Sequence, residues 1–343
     1  MKKYHQFIKE SKIYNIHLMC NTHGIYNYTI NDDLSVDVVG HVFMRELGLE
    51  KLSIKFRNVT GSFYCSSNKL TSLEGSPEKV GGDFLCDRNQ LTTLKGGPKE
   101  VGGYFHCYGN KLDTLEGSPE KVGGDFCCYK NSLSDLVGGP ISIGFDLDCS
   151  FNNLHTLEGC PREIGGSFNC SNNNLTTLEG GPEFVTNNFK CSDNELTSLS
   201  GSPRKIGGGF RCSENKLTTL EDGPERVGGS FFCEENQLTT LEGGPKEVGR
   251  YFHCNSNNLI TVDGFPIHFD HNNGIIILDS NPVYEVYKLF DSTEAIEYIN
   301  EEMLINVDDM TVSYTVIEEI FNTLGEKPVP YNHINFEHYI LVD

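Results

Sequence analysis

Ten cysteines recur along this chain at a constant spacing of 21 residues, without insertion or deletion. They are Cys65, Cys86, Cys107, Cys128, Cys149, Cys170, Cys191, Cys212, Cys233 and Cys254. A fixed period of this length is typical of solenoid proteins, in which one small structural unit is stacked many times. The spacing therefore predicts a stack of equivalent coils for most of the chain.

Each of these framed cysteines belongs to a longer pattern, F-x-C-x-x-N-x-L-x-x-L-x-G-x-P-x-x-V, which is usually followed by two glycines. Phe and Cys alternate, so both point to one face of a short strand while their neighbours point to the other. The Asn and the leucines break this alternation. We therefore expect a corner with inward leucines, where the Asn carboxamide bonds the backbone of its own or the next coil. Gly, Pro and the double Gly favour an extended segment that brings the chain back to the start of the next strand.

The pattern thus predicts a right-handed repeat solenoid with one short parallel β-strand per 21-residue coil and extended returns. It resembles the strand-and-corner signature of leucine-rich repeats, over residues 61 to 272. The variant in residues 73 to 82, LEGSPEKVGG, is more similar to repeat proteins encoded by large tailed bacteriophages. Residues 28 to 40 and 281 to 290 resemble the lead-in and the start of the cap in that family. The resemblance implies a leucine-rich-repeat-like fold and a viral origin, and brings no catalytic residues.

The ends of the chain depart from the repeat and divide it into three predicted parts. Residues 1 to 60 form an N-terminal cap with a degenerate first repeat, in which Met44 takes the place of Cys. Residues 61 to 272 form ten repeats, and residues 273 to 343 form a small acidic α-helical C-terminal cap. Helical spacing occurs in residues 283 to 290, 293 to 304 and 313 to 324. The first residues lack the long apolar core of a secretory signal, so we expect a cytoplasmic protein without a membrane partner.

The formal net charge is −21 at pH 7, and it is unevenly distributed. Residues 263 to 343 carry 16 acidic and 2 basic side chains, whereas the first 60 residues carry 6 acidic and 8 basic ones. A protein that binds duplex DNA needs a basic surface, so direct nucleic-acid binding is disfavoured. The acidic C-terminal part either attracts a basic protein surface or keeps the protein soluble, and both interpretations stay open.

The cysteines do not suggest a disulfide framework or a metal site. The framed thiols point inward as small apolar side chains, and their spacing lacks the paired ligands of zinc sites. His268, Asp270 and His271 form the one compact cluster of potential ligands, which we interpret as polar residues at the boundary of the array. No nucleophile motif or phosphate-binding glycine loop occurs, so we expect neither enzymatic activity nor a cofactor.

Strand alternation also identifies candidate partner-binding residues, which project outward beside the framed cysteines. The first group is Tyr104, His106, Tyr108, Cys127, Tyr129 and Phe151, and the second group is Phe232, Tyr251 and His253. Exposed aromatic side chains on a rigid sheet are typical anchors of protein interfaces. Aromatic ladders that merely stabilise parallel strands are the alternative. The irregular pairs that replace the double glycine, such as Gly249 and Arg250, are interpreted as drift in a duplicated array.

Two main functions remain open from the sequence. The first is a non-enzymatic interaction protein that captures a protein target on its strand face. The phage resemblance suggests a bacterial host protein as this target, including a component of host defence. The second is an acidic decoy that mimics nucleic acid and blocks a basic nucleic-acid-binding protein. A glycan-binding virion component is a third, smaller option, because exposed tyrosines can stack on sugars.

Overall fold

The computed structural model describes residues 2–269, 274–290, 295–301, 304–330 and 334–342. The chain forms two compact units. The first unit contains Met1–Asn174 and Glu179–Val185, and the second contains Leu175–Leu178 and Thr186–Asp343. Both units are built from stacked coils, and each coil contributes two short strands to two separate parallel ladders.

The first of these ladders, here called the front ladder, contains the strand predicted from the Phe and Cys alternation. In the first unit its strands are Val42–Phe43, Phe63–Tyr64, Phe84–Leu85, Phe105–His106, Phe126–Cys127, Leu147–Asp148 and Phe168–Asn169. In the second unit they are Phe189–Lys190, Phe210–Arg211, Phe231–Phe232, Phe252–His253 and Ile276–Ile277. Equivalent residues pair in parallel, as Phe84 does with Phe105 and Leu85 with His106. The prediction of a short parallel strand in each coil is confirmed.

A second ladder runs along the return side of the coils and was not predicted. In the first unit this return ladder comprises Val36–Val38, Phe56–Val59, Lys79–Val80, Glu100–Val101, Lys121–Val122, Ser142–Ile143, Glu163–Ile164 and Phe184–Val185. In the second unit it comprises Lys205–Ile206, Arg226–Val227, Glu247–Val248 and His268–Phe269. The buried residue of each later strand is the Val, Ile or Phe at its end, as in the Lys79–Val80 strand.

The interior of the coils is a set of stacked apolar columns. The rings of Phe63, Phe84 and Phe105 are stacked with centroids 5.4 to 5.5 Å apart, and the leucines and framed cysteines beside them are buried. All thirteen cysteines are free thiols. Cys107 donates its Sγ hydrogen to the Cys127 carbonyl of the next coil at 3.5 Å. The framed thiols therefore serve as packing residues, as the alternation predicts.

The framed asparagines connect neighbouring coils at the corner. Asn152 accepts the backbone N–H of Leu133 at 3.1 Å, and its Nδ2 donates to the carbonyls of Cys128 at 3.1 Å and Cys149 at 3.0 Å. The bond to Cys149 lies within its own coil, as expected. The other two lie in the preceding coil rather than the next one, because the carboxamide reaches back across the corner. Each buried Asn thus satisfies backbone groups that a tight corner would leave unpaired.

The N-terminal segment begins with helix α1 (Lys2–Thr22), followed by an antiparallel pair of strands, Tyr28–Ile30 and Val36–Val38. The second of these strands joins Phe56–Val59 in parallel and so starts the return ladder. Met44 is buried at the position of the framed cysteine. The degenerate first repeat therefore forms a coil of its own.

The C-terminal segment contains α2 (Tyr284–Tyr287), α3 (Ala295–Glu301) and α4 (Tyr314–Leu324), which lie within the three segments predicted to be helical. Strands Ile305–Asn306, Thr311–Ser313 and Ile340–Val342 add a small sheet that was not predicted. The front ladder continues past residue 272, because Ile276–Ile277 pairs with Phe252–His253. Asn281 there accepts from Leu259 N–H at 3.0 Å, like the framed asparagines. The exact domain boundaries remain predictions.

Candidate protein-binding surface

The outward side chains of the front ladder stand in columns, because equivalent residues of neighbouring coils lie about 4.8 Å apart. Three columns are named by their place relative to the framed cysteine. The upstream column lies three residues before it, the pre-cysteine column directly before it, and the post-cysteine column directly after it. In the coil of Cys107 these positions hold Tyr104, His106 and Tyr108.

Four residues of the first predicted group form one continuous cluster of rings in the first unit, here called the aromatic patch: Tyr104, His106, Tyr108 and Tyr129. The rings of Tyr104 and His106 are stacked with centroids 5.9 Å apart, and those of His106 and Tyr108 lie 5.8 Å apart. Tyr108 and Tyr129 stack at 4.4 Å with an interplanar angle of 7°. The alternation in the sequence therefore placed these side chains together correctly.

The remaining two members of the first group have different positions. Cys127 is half-buried and pairs with His106 in the front ladder, so it borders the aromatic patch. Phe151 lies at the corner, two residues after Cys149, with φ of 53°. Its ring is 50% exposed and faces the ammonium group of Lys130 at 5.7 Å. Phe151 is thus outside the three columns of the strand face.

Three further residues extend the pre-cysteine column beyond those that sequence reasoning identified. Phe43, Tyr64 and Leu85 are outward residues of successive strands that lead to His106. The rings of Phe43 and Tyr64 are stacked 5.3 Å apart. The 21-residue period, counted backwards from His106, would have found all three. Phe43 was missed because its coil has Met44 in place of the cysteine.

The upstream column shows that Tyr104 is an exception to a repeated hydrogen bond. In neighbouring coils the upstream side chain accepts the backbone N–H of the equivalent residue one coil further on. The pairs are Ser62 N–H to His41 Nδ1 (3.0 Å), Asp83 N–H to Ser62 Oγ (3.0 Å), Tyr104 N–H to Asp83 Oδ1 (3.0 Å), and Asp146 N–H to Asp125 Oδ1 (3.0 Å). Among the described residues from His41 to Asp125 in this column, only Tyr104 makes no such bond.

The Tyr104 ring instead lies over Gly124, where the β-carbon of any larger residue would come within 2.4 Å of Tyr104 Cδ1. The ring is 45% exposed. An acceptor such as the Ser or Asp of other coils would satisfy the ladder better at this position. The hydrogen-bond pattern of the column therefore does not account for an aromatic residue here.

The aromatic patch is electrically neutral but lies in acidic surroundings. Burial lowers the pKa of His106, against the opposing effect of Asp87, Asp125 and Asp83, so the imidazole is neutral at pH 7. Burial, and then Asp87, raises the pKa of Tyr108. Burial, and then Tyr108, raises the pKa of Tyr129 to about 12. Neutral rings beside carboxylates suit a cationic side chain, which gains both a cation–π and a Coulomb interaction.

The structure already holds one guanidinium group against this surface. The Arg88 guanidinium lies 5.9 Å from the centre of the Tyr108 ring. Arg88 comes from the corner of the preceding coil, where its φ is 53°. The outer face of the patch beyond Tyr108 contains the Tyr104 and Tyr129 rings, which a partner side chain can contact in the same way.

The second predicted group also comes together, in the second unit. The Phe232 and His253 rings lie 4.7 Å apart, and Tyr251 lies 6.1 Å from His253. The Arg211 guanidinium covers Phe232 at 3.9 Å. Arg211 is also paired with Glu234 at 3.4 Å. The guanidinium of this group thus lies closer to its aromatic ring than Arg88 lies to Tyr108 in the aromatic patch.

Potential metal ligands cluster at Glu285, Glu337 and His338 within the described part of the chain. The Glu285 carboxylate already accepts the backbone N–H of Glu337 at 2.7 Å and of His338 at 3.2 Å, together with a contact from His338 Nδ1. These bonds fasten the C-terminal tail to α2 and account for the cluster. Of the sequence candidates, Asp270 and His271 lie outside the described residues.

Among the helices that the structure describes, none is both long and apolar enough to cross a membrane. No protein-family model and no curated protein matches the sequence. Solved structures do match. The leucine-rich repeat domain of APL1B is 16% identical with a TM-score of 0.50, over 70% of this chain and 75% of that one.

Two structures of the leucine-rich effector YopM also match. The protein from Yersinia enterocolitica is 17% identical with a TM-score of 0.41, over 70% of this chain and 64% of that one. The protein from Yersinia pestis is 16% identical with a TM-score of 0.35, over 71% of this chain and 83% of that one. Identities this low concern the fold alone. With the ladders described above, the match to the APL1B domain defines a leucine-rich-repeat-like solenoid, as the sequence predicted.

Proposed function

We propose that this protein is a non-enzymatic binding protein that captures a protein segment on the aromatic patch of its first unit. Support comes from the fold, since solenoids of this kind present extended surfaces suited to protein partners. The partner segment carries basic side chains next to apolar ones, because the patch offers neutral rings surrounded by Asp83, Asp87 and Asp125.

The observation that carries the proposal is the exception at Tyr104. The array uses Ser or Asp at this position in adjacent coils to accept a backbone N–H, and Tyr104 gives up that bond. Its half-exposed ring instead extends the row of His106, Tyr108 and Tyr129. Aromatic side chains held by rigid neighbours are favoured anchors in interfaces, because little conformational entropy is lost when they bind.

We further propose that the chain is encoded by a bacteriophage and that its target is a bacterial host protein, such as a component of host defence. The motif LEGSPEKVGG in residues 73 to 82 and its equivalents support this proposal by their similarity to repeat proteins of large tailed phages. The site of action is then the cytoplasm of the host cell.

The experiment is affinity capture from bacterial lysate by the immobilised protein, followed by mass spectrometry. The test variant replaces Tyr104, Tyr108 and Tyr129 with serine, and the control variant is Tyr26→Ser, which removes a tyrosine that is 78% exposed elsewhere in the first unit. We expect the wild type and the control to retain the same host protein and the triple variant to lose it. Equal recovery on all three would contradict the proposal.

Ionic strength separates this function from the acidic decoy. A decoy acting through the acidic C-terminal segment should be released steeply by salt and should ignore the tyrosine substitutions. Capture by the aromatic patch should keep a salt-resistant component from ring stacking and apolar contact. A glycan-binding role would instead show as competition by free sugars.

A further inference from the structure

The front ladder of the second unit contains an open groove that the repeat pattern did not reveal. Gly209 lies in the upstream column between Asn188 and Ser230 and contributes no side chain there. The groove has a volume of about 330 Å³. Residues 207 to 209 with Gly228 and Gly229 line it, together with Asn188, Ser230, Phe232 and Arg250. It therefore has a glycine floor with an aromatic and a cationic side chain at its margin.

The charge around this groove is opposite to that around the aromatic patch. In the first unit, the upstream and pre-cysteine columns of the coils from Cys65 to Cys170 carry Asp83, Asp125, Asp146 and Asp148, and no Lys or Arg. In the second unit, across the coils from Cys191 to Cys254, the pre-cysteine column carries Lys190 and Arg211. Arg250 occupies the place of the second of the two glycines that follow the Val of the repeat, and neither this place nor the upstream and pre-cysteine columns hold Asp or Glu in these coils. A chain with a net charge of −21 thus has a local basic surface here.

Arg250 is the cation that the groove offers most directly to a ligand. It takes the place of the second glycine of the repeat and is exposed. Arg211 is held over Phe232 at 3.9 Å and faces the Glu234 carboxylate at 3.4 Å, so part of its charge is already balanced. His253 beside Phe232 is not a third cation, because burial lowers its pKa.

The backbone N–H groups of Gly208, Gly209, Gly228 and Gly229 are already used within the array. Gly208 N–H donates to the Asn187 carbonyl at 2.9 Å, Gly229 N–H to the Gly208 carbonyl at 2.8 Å, and Gly209 N–H to Asn188 Oδ1 at 2.8 Å. A ligand must therefore be held by side chains at the margin. The glycines contribute space, and Phe232 contributes an apolar wall.

We propose that this groove binds acidic side chains of a protein segment, with a carboxylate against Arg250 and the adjoining chain against Phe232. It is a second site, distinct from the aromatic patch and selective for the opposite charge. A short acidic segment carries few charges, so the net negative charge of the protein repels it weakly. A nucleic acid carries a charge at every phosphate and meets that repulsion in full.

Fluorescence anisotropy with a labelled peptide of alternating Glu and Ser tests the proposal, with the Gln-for-Glu peptide as the uncharged probe. Arg250→Gly restores the residue that most other coils have, so the fold should tolerate it. We expect the acidic peptide to bind this variant about fivefold or more weakly at low salt. The control Arg204→Ala removes another exposed arginine of the same unit, one that faces Glu225 outside the groove, and should change the affinity less than about twofold.

A second variant, Gly209→Ser, places a side chain in the groove without changing its charge. The new Cβ would lie 3.0 Å from the Ser230 carbonyl oxygen, so a thermal melt must accompany it. We expect it to weaken binding as Arg250→Gly does. The proposal would be overturned if the Glu and Gln peptides bound equally well, or if Arg204→Ala weakened binding of the acidic peptide as much as Arg250→Gly does. Binding of a single-stranded oligonucleotide more tightly than the acidic peptide would overturn it as well. The tyrosine variants of the aromatic patch should bind the acidic peptide normally, so the two sites fail separately.

Discussion

The rings of Tyr108 and Tyr129 lie parallel in consecutive coils, with centroids 4.4 Å apart and planes within 7°. This stack joins two residues 21 positions apart in sequence and forms one end of the row of rings in the aromatic patch. Burial, and then Asp87, raises the pKa of Tyr108, whereas burial, Tyr108 and, to a smaller extent, Asp148 raise the pKa of Tyr129. Both phenols are therefore neutral at pH 7.

Tyr104→Ser is predicted to leave stability almost unchanged. Serine in this column accepts the next backbone N–H, as Ser62 does from Asp83. The regained hydrogen bond contributes about 1 kcal/mol and offsets the lost contact of a half-exposed ring with His106. The midpoint of urea unfolding should therefore stay close to that of the wild type. A large decrease would show that the Tyr104 ring is a structural residue.

The corner asparagines are predicted to dominate the polar contribution to stability. Asn152→Ala removes four side-chain hydrogen bonds, to Leu133, Cys128, Cys149 and Ser150, and leaves buried backbone groups unpaired. The expected loss is roughly 2 to 4 kcal/mol in the free energy of unfolding. The neighbouring Asn153 is exposed, so Asn153→Ala is the matched control and should cost less than about 0.5 kcal/mol. Similar denaturant midpoints for the two variants would refute this role.

Thiol chemistry should separate the framed cysteines from Cys127. The framed thiols are buried, and burial raises the pKa of Cys86 and Cys107 well above the ordinary value. Cys127 is half-buried, and burial with Asp148 and Asp125 raises its pKa to about 12. We expect iodoacetamide at pH 8 to leave the framed thiols unmodified and to alkylate Cys127 slowly.

Mass spectrometry of tryptic peptides gives the site of alkylation directly. The control is the protein unfolded in guanidinium chloride, in which all thirteen cysteines should react. Rapid modification of several framed thiols in the folded protein would mean that the coils open readily, contrary to the packing described above.

Alkaline pH is predicted to destabilise the protein in part through Tyr129. Its pKa is raised from 10.0 to about 12 in the folded state, mainly by burial. The unfolded chain releases this proton first, so the stabilising contribution is present below pH 10 and is lost as the pH rises towards 12. Tyr129→Phe lacks the group, and its stability should fall less over this interval. Parallel losses in wild type and variant, measured by thermal melts, would contradict the assignment.

Much of the architecture could be predicted because each coil repeats the same 21-residue pattern. Phe105 and Cys107 specify the front strand by alternation, and Asn110 with its leucines specifies the corner. The return ladder was not predicted because each strand has only two residues, such as Lys79–Val80, too few for any periodicity to show. The last coil was hidden because Ile276 pairs with Phe252 across 24 positions instead of the usual 21.

The four rings of the aromatic patch could be predicted from the sequence, but the hydrogen bonds around them could not. Alternation places Tyr104, His106, Tyr108 and Tyr129 outward, and the period places them in adjacent coils. The sequence does not show that Tyr104 lacks the hydrogen bond made by its column neighbours, or that its ring lies over Gly124 in the next coil. The groove is open at Gly209 because glycine has no side chain, and Arg250 lines the same groove. The sequence does not show that these two residues lie together.

We propose that Tyr104 is present for binding rather than for folding. The most direct measurement is the dissociation constant of the captured host protein for Tyr104→Ser, determined by isothermal titration calorimetry beside the wild type and Tyr26→Ser. We expect a dissociation constant about tenfold higher for Tyr104→Ser, with Tyr26→Ser unchanged, because an interface anchor is lost. An affinity of Tyr104→Ser equal to that of the wild type would contradict it.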